Sequence, residues 1–198
     1  GQAQFHNLAT PYDVASISES TIIDDDSIDY RTEYSATIGN MKGFAFNNDG
    51  SKMYLSDGNS NTGNIVQVNL STPYDPSSGT FEYNLDTKSI VGNVFTGDLA
   101  FDDDGTRLYL TKIHNNSTTT PAFIYVWKLR KPFELSSATY VDKYSIDANG
   151  SNVSPYGWTF GNDGMKLYVS TEDAISGVGD DLIFEFDLIC PYGVVICE

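Results

Sequence analysis

Basic residues are scarce in this chain. Only 11 of its 198 residues are Lys or Arg, against 27 Asp and Glu, which gives a formal net charge of −16. A field of this sign repels phosphate backbones and anionic bilayers, so we expect no nucleic-acid partner. The acidity also keeps the protein soluble. A more specific interpretation of the negative charge is that the protein binds cations or is extracellular.

Long apolar segments are also missing. No run approaches the ~20 apolar residues that a membrane-spanning helix requires, so no membrane span is predicted. Residues 1–4 carry no basic, apolar leader, and we expect that any secretion signal has been removed. Few Lys and only 3 Met, beside many Ser, Thr, Asn and Gly, favour an extracellular or cell-surface protein.

Residues that bind metals or form disulfides are few. The chain has two histidines, His6 and His114, and two cysteines, Cys190 and Cys197. Both histidines lie far from the cysteines in sequence, so a zinc site is not expected. A disulfide between Cys190 and Cys197 is the favoured interpretation. Free thiols and an intermolecular bridge are the alternatives.

Catalytic signatures are absent as well. The sequence contains no Gly-x-Ser-x-Gly elbow, no Walker loop and no dinucleotide fingerprint. Asp102, Asp103 and Asp104 are consecutive carboxylates, but they fall in a predicted hairpin turn, where short acidic side chains bond their own backbone. We therefore expect a protein that is not an enzyme and that has no cofactor.

The sequence does contain a repeat. The pattern Phe-x-x-Asp-Gly occurs three times, at residues 46–50, 101–105 and 160–164. A tyrosine follows each glycine by four residues: Tyr54, Tyr109 and Tyr168. A second marker, a proline followed by an aromatic residue, begins at Pro11, Pro73, Pro132 and Pro191. A period of about 55 to 60 residues exceeds a hairpin, so the repeated unit is a supersecondary structure.

Each repeat shows the pattern of four strands. Asp-Gly between two apolar runs predicts a hairpin because Gly accepts positive φ. A third strand alternates with period two, and the proline of the second marker ends it before a fourth strand begins. We predict an all-β, single-domain chain of three four-stranded antiparallel propeller-like blades of about 60 residues each, with no substantial helix. The repeats are placed at approximately 11–72, 73–131 and 132–190, with terminal segments 1–10 and 191–198.

The same residues carry a family resemblance. The pattern Gly-Phe-x-Phe-x-x-Asp-Gly-x-Lys-x-Tyr at residues 43–54 resembles the blades of the TolB and lactonase-like β-propellers. Residues 53–75 are more similar to repeats of bacterial surface and phage-associated proteins. The resemblance extends from Ile17 to Leu188. It implies blade architecture and says little about activity, because propellers host unrelated functions.

Three blades are fewer than the roughly four to eight that close a propeller, which leaves blade faces to be covered. Pairing of two chains into one ring, open stacking within one chain, and donation of a strand to the next chain are all compatible. We expect the last: a homopolymer, the protomer of a surface filament joined head to tail through its terminal strands. The alternative is that residues 1–10 simply form an ordered edge strand. The predicted assembly residues are Phe5, Leu8, Ile183, Phe184, Val194, Val195 and Ile196.

Two other functions are kept as alternatives. One is an adhesin module that binds a glycan or a receptor, with Tyr156 and Trp158 as aromatic residues able to stack on sugars; blade core is the favoured role for Trp158. The weaker alternative is a lactonase-like metal hydrolase with an acidic metal site on the propeller axis.

Two further kinds of site are expected only weakly. Clustered carboxylates are Ca²⁺ candidates, although none has the spacing of an EF-hand loop: Asp24, Asp25, Asp26, Asp29, Asp180 and Asp181. Five asparagines lie in glycosylation sequons: Asn69, Asn115, Asn116, Asn149 and Asn152.

Overall fold

The computed structural model describes residues 2–3, 10, 28–29, 41–58, 63–92, 95–113, 123–146, 154–172, 182–195 and 197. A short antiparallel pair comes first, made of β1 (Gln2–Ala3) and β2 (Ile28–Asp29). Within the described ranges no helix is long and apolar enough to cross a bilayer.

The first sheet has four antiparallel strands in sequence order. They are β3 (Met41–Phe46), β4 (Lys52–Asp57), β5 (Asn64–Leu70) and β6 (Gly79–Asp86). One turn of α-helix, α1 (Lys88–Val91), leads towards the next sheet.

The second sheet repeats this order. Its strands are β7 (Phe95–Phe101), β8 (Arg107–Ile113), β9 (Phe123–Leu129) and β10 (Ala138–Ser145). The third sheet has three strands among the described residues: β11 (Ser154–Gly161), β12 (Lys166–Glu172) and β13 (Leu182–Asp187). In the first two sheets the strand after the Pro-aromatic marker pairs with the strand before it.

The first strands of the sheets, β3, β7 and β11, are the inner strands, because β7 contacts both β3 and β11. Alternation along each strand gives every sheet two faces, and apolar residues fill the space between neighbouring sheets. Between the first and second sheets lie, among others, Tyr54, Ile65, Leu99, Leu108 and Trp127. Between the second and third lie Tyr109, Ile124, Trp158, Leu167 and Val169.

The two sequence markers of the repeat contact each other. Gly50, Gly105 and Gly164 have positive φ, and rings of Tyr74, Phe133 and Tyr192 lie directly over them. A Cβ built on Gly50 would lie 2.4 Å from the Tyr74 ring. The Tyr74 N–H donates to the Gly50 carbonyl at 2.9 Å. The backbone of each of the three aromatic residues is itself in the left-handed region, with φ of 58° to 60°.

This architecture confirms the predicted fold class. The described residues are nearly all β, the sheets are antiparallel and blade-like, and the one α-helix is a single turn. The hairpins fall where Asp-Gly predicted them: Gly50 closes the loop between β3 and β4 by donating its N–H to the Asn47 carbonyl at 3.1 Å.

Candidate functional site

All three inner strands carry a β-bulge near their beginning. The pairing register shifts between Met41 and Gly43 on β3, between Thr96 and Leu99 on β7, and between Pro155 and Gly157 on β11. Bulges interrupt the ladder and redirect side chains, and they are over-represented beside active sites. The three bulges therefore mark one end of the inner strands as the place to look for a site.

Hydroxyl groups of the second strands support these bulges. The Ser56 hydroxyl accepts from the Gly43 N–H at 2.9 Å and donates to the Gly97 carbonyl at 2.5 Å, so it bridges the first two sheets. Thr111 donates to the Asp98 carbonyl at 3.1 Å, and Ser170 to the Gly157 carbonyl at 3.1 Å. These bonds take up carbonyls that the bulges leave outside the ladder.

Asp98 is the one acidic residue on the three inner strands. Its side chain is half-buried, and burial raises the pKa of the Asp98 carboxyl above its ordinary value. The Leu99 N–H donates to Asp98 Oδ1 at 2.9 Å and opposes that rise. A carboxyl with a raised pKa in a partly dry place is a candidate for proton transfer.

The space around Asp98 depends on a glycine of the first sheet. A Cβ on Gly43 would lie 2.8 Å from Asp98 Oδ1 and 2.7 Å from Asp98 Cα. The Trp158 indole donates to the Asp98 carbonyl at 3.4 Å from the other side. Asp98 thus sits where all three inner strands meet.

A metal centre does not fit the described residues. Nowhere in that part of the chain do three or more His, Cys, Asp or Glu side chains converge, and Ca²⁺ requires about six to eight oxygen ligands. Asp24, Asp25, Asp26, Asp180 and Asp181 lie outside the described residues, as do both histidines. Asp29 lies on β2, and the structure describes only its backbone.

The interfaces between sheets hold a second set of polar contacts. The Tyr54 hydroxyl donates to the Phe133 carbonyl of the second sheet at 2.6 Å. The Tyr109 hydroxyl donates in the same way to the Tyr192 carbonyl after the third sheet at 2.7 Å. Burial is the largest cause that raises the pKa of both phenols, so they stay protonated donors.

Gln67 completes the first of these interfaces. Its Oε1 accepts from the Leu135 N–H at 2.7 Å, and its Nε2 donates to Glu134 at 3.1 Å. Glu134 also forms an ion pair with Lys52 at 2.6 Å. Hydrogen bonds from Lys52 and Gln67 lower the pKa of the Glu134 carboxyl in spite of its desolvation.

The other predicted residues fall in several places. Phe184, Val194 and Val195 pack in the core between the second and third sheets, and Ile183 is 76% exposed. Phe5, Leu8 and Ile196 lie outside the described residues. Cys190 and Cys197 are joined in a disulfide with a Cα–Cα distance of 5.8 Å.

The candidate sugar-binding and glycosylation residues are equally dispersed. Trp158 is 8% exposed and belongs to the core. Tyr156 lies on β11, where only its backbone is described. Asn69 is half-buried on β5, and the other four sequon asparagines lie outside the described residues: Asn115, Asn116, Asn149 and Asn152.

A cleft of about 340 Å³ opens beside the disulfide. Its lining consists of Tyr144 of β10 together with Asp187, Leu188, Ile189, Gly193, Val194, Val195 and Cys197. It lies at the outer edge of the second sheet, whereas Asp98 is on the inner strand of that sheet. The one carboxylate in its lining, Asp187, is held by Lys166 at 2.7 Å. We assign the candidate site to Asp98, because a half-buried carboxyl offers chemistry that this cleft lacks.

No protein-family model and no curated protein sequence matches the chain. Solved structures do. A candidate 6-phosphogluconolactonase from Bacteroides fragilis is 14% identical, with a TM-score of 0.48 over 75% of this chain and 39% of its own. A luciferin-regenerating enzyme is 16% identical, with a TM-score of 0.48 over 77% of this chain and 46% of its own. A candidate 6-phosphogluconolactonase from Bacteroides uniformis is 13% identical, with a TM-score of 0.45 over 75% and 40%.

These likenesses concern the fold, and the chain spans less than half the length of each of the three proteins. They nevertheless correct two expectations drawn from the sequence. The three chains described above bear the names of enzymes, which contradicts the expectation of a non-enzymatic protein that is the protomer of a filament. The reason is that the repeat specifies blades, and blades serve fibres and enzymes alike.

Proposed function

We propose that this chain is a propeller-type hydrolase for a cyclic ester of the lactone class, with Asp98 as its general base. The main support for this proposal is that the Asp98 carboxyl is half-buried and has a raised pKa, and that it lies at the bulged end of the inner strands. The sequence resemblance of residues 43–54 to lactonase-like propellers supports the choice of substrate class.

The proposed reaction uses one carboxylate for two proton transfers. Asp98 takes a proton from a water molecule as the water oxygen bonds to the ester carbonyl carbon. The tetrahedral intermediate then collapses, the ring carbon–oxygen bond breaks, and the leaving alkoxide receives the proton from the Asp98 carboxylic acid. The product is an open-chain hydroxy acid. A raised pKa suits this role because the carboxyl must hold the proton between the two steps.

The test compares Asp98 with a matched aspartate on an outer strand. Asp142 also follows a register shift, and its Oδ1 accepts from the next N–H at 2.8 Å, but its side chain is exposed. Hydrolysis of five- and six-membered lactones, with a linear ester for comparison, is followed by acid release at constant pH.

We expect Asp98→Asn to lower the rate by about 10²-fold or more, as removal of a general base does, and Asp142→Asn to leave it unchanged. The proposal fails if the native chain hydrolyses no lactone above the uncatalysed rate. It also fails if the Asp98→Asn variant hydrolyses lactones as fast as the native chain.

We also propose that the protein works outside the cell. Support comes from the Cys190–Cys197 disulfide, since such bonds persist in oxidising compartments, and from the net charge of −16. Thiol titration of protein isolated from its source, without reductant, tests this. Two free thiols per chain would contradict it.

A further inference from the structure

The second strands of the three sheets carry the same residues on one face. Each has a basic residue, a tyrosine and a hydroxyl at alternate positions: Lys52, Tyr54 and Ser56; Arg107, Tyr109 and Thr111; Lys166, Tyr168 and Ser170. Opposite each hydroxyl, the third strand places an isoleucine: Ile65, Ile124 and Ile183. The outward face of the third sheet, the side of β11–β13 that bears Tyr168 and Ile183, is thus a third copy of two known interfaces.

The first two copies are buried and the third is open. Tyr54, Tyr109, Ile65 and Ile124 are each 0% exposed, because the next sheet covers them. Ile183, at the matching position, is 76% exposed. The Tyr168 ring lies against Gly161, and its hydroxyl has no hydrogen-bond partner among the described residues.

We propose that the outward face of the third sheet is a docking face for a fourth sheet of the same repeat. The two existing interfaces define what that sheet must offer. It places a backbone carbonyl from its Pro-aromatic turn against the Tyr168 hydroxyl, as Phe133 does for Tyr54 and Tyr192 for Tyr109.

Two further contacts specify the partner sheet. Its inner strand ends in an aromatic ring over Tyr168, as Phe101 lies 4.5 Å from Tyr54 and Phe160 lies 4.9 Å from Tyr109. Its turn also presents a backbone N–H to Glu185. Glu185 occupies the position of Gln67, which accepts such a bond from Leu135.

The first sheet of a second copy does not meet these requirements. The face of the first sheet that would have to dock carries Met53, Leu55 and Val68. Each of these side chains is already buried in this chain, with at most 1% of its surface exposed. The occupant is therefore an additional sheet in tandem, packed as the second sheet packs on the first.

The experiment adds such a sheet. In an extended chain, residues 134–192 are repeated once after Tyr192, with the first Cys190 changed to Ser so that Cys197 pairs with the second copy. Urea unfolding is then measured with Tyr168→Phe and with Ile183→Thr, the latter placed in the original third sheet. We expect both changes to lower the unfolding midpoint of the extended chain and to leave that of the native chain unchanged.

Matched variants make each outcome decisive. Ile124→Thr should lower the midpoint of both chains, since Ile124 is buried in both. A second duplication, residues 75–133 repeated after Phe133, adds a sheet without using the outward face. The proposal is overturned if Tyr168→Phe and Ile183→Thr leave the unfolding midpoint of the extended chain unchanged. It is also overturned if only the chain with the internal duplication folds.

The native chain gives a separate reading that needs no added sheet. Ile183→Thr should have no effect on its midpoint, whereas Ile65→Thr and Ile124→Thr should each lower it. Equal losses at all three positions would show that Ile183 is already covered, and the docking face would not exist.

Discussion

Gly43 of the first sheet faces Asp98 of the second so closely that a Cβ on Gly43 would lie 2.7 Å from the Asp98 Cα. Because this neighbour is backbone, it cannot move aside as a flexible side chain would. Gly43 therefore sets the distance between the two inner strands at the candidate site.

Gly43→Ala should destabilise the protein by about 1–3 kcal/mol, the usual range for an overpacked contact, and should displace Asp98. Urea unfolding measures the free energy. Gly157→Ala is the matched control, because there the Cβ would meet only the flexible Ser170 side chain, at 3.3 Å. A loss at Gly157 as large as that at Gly43 would contradict this account.

The Asp98 carboxyl should make stability depend on pH. Its pKa is raised in the folded protein, so the folded state binds the proton more tightly, and stability falls as pH rises from the ordinary aspartate value through the raised one. Asp98→Asn removes this titration. We expect the unfolding free energy of the mutant minus that of the native chain to be larger at pH 7 than at pH 3. If this difference instead grew as the pH fell, the pKa of Asp98 would be lowered by folding and not raised.

Gln67 should be more important than its exposed neighbours. Its Oε1 is the acceptor for the buried Leu135 N–H. Gln67→Met leaves that donor unpaired, which costs about 1–3 kcal/mol. Urea unfolding should show this loss, and Glu82→Gln, a change at a partly exposed partner of the same amide, should show much less. Equal effects would mean that the Leu135 bond contributes nothing.

Reduction of the disulfide should loosen one turn. The Cys190–Cys197 loop contains Tyr192, whose N–H donates to Gly164 at 2.7 Å and whose carbonyl accepts from Tyr109. In the chain-entropy model a loop this short contributes about 2–3 kcal/mol. Hydrogen exchange should become faster at the Tyr192 amide of the Cys197→Ser variant. The Tyr74 amide, which makes the same bond in the first sheet, is the internal control and should not change.

The strands and hairpins were predictable because their signals are local. Asp-Gly turns and period-two alternation lie within a few residues, so they placed β3 and β4 or β7 and β8 correctly. Contacts over longer separations were not predictable in this way. Nothing in the local pattern shows that the Tyr74 ring covers Gly50, or that the Tyr54 hydroxyl reaches Phe133 in the next sheet.

Asp98 escaped sequence reasoning for a different reason. Turn aspartates such as Asp102 and Asp104 drew attention as a cluster, yet they mainly bond Thr106 and the nearby backbone. A signal for Asp98 was present. When the three repeats are aligned on their Phe-x-x-Asp-Gly pattern, Asp98 stands where the other two have Gly43 and Gly157. Only the arrangement of the sheets shows that Gly43 leaves room for it.

The aromatic ring over each glycine has a consequence for how the chain acquires its structure. Gly50 and Tyr74 are about 24 residues apart and belong to one sheet, so the entropy lost on closing that loop is modest. A sheet can thus fix its own strand order before a neighbour arrives, and such sequence-local assembly favours rapid folding. The slow events are then the meetings between preformed sheets, and kinetic variants should be sought at Tyr54 and Tyr109 rather than at the turns.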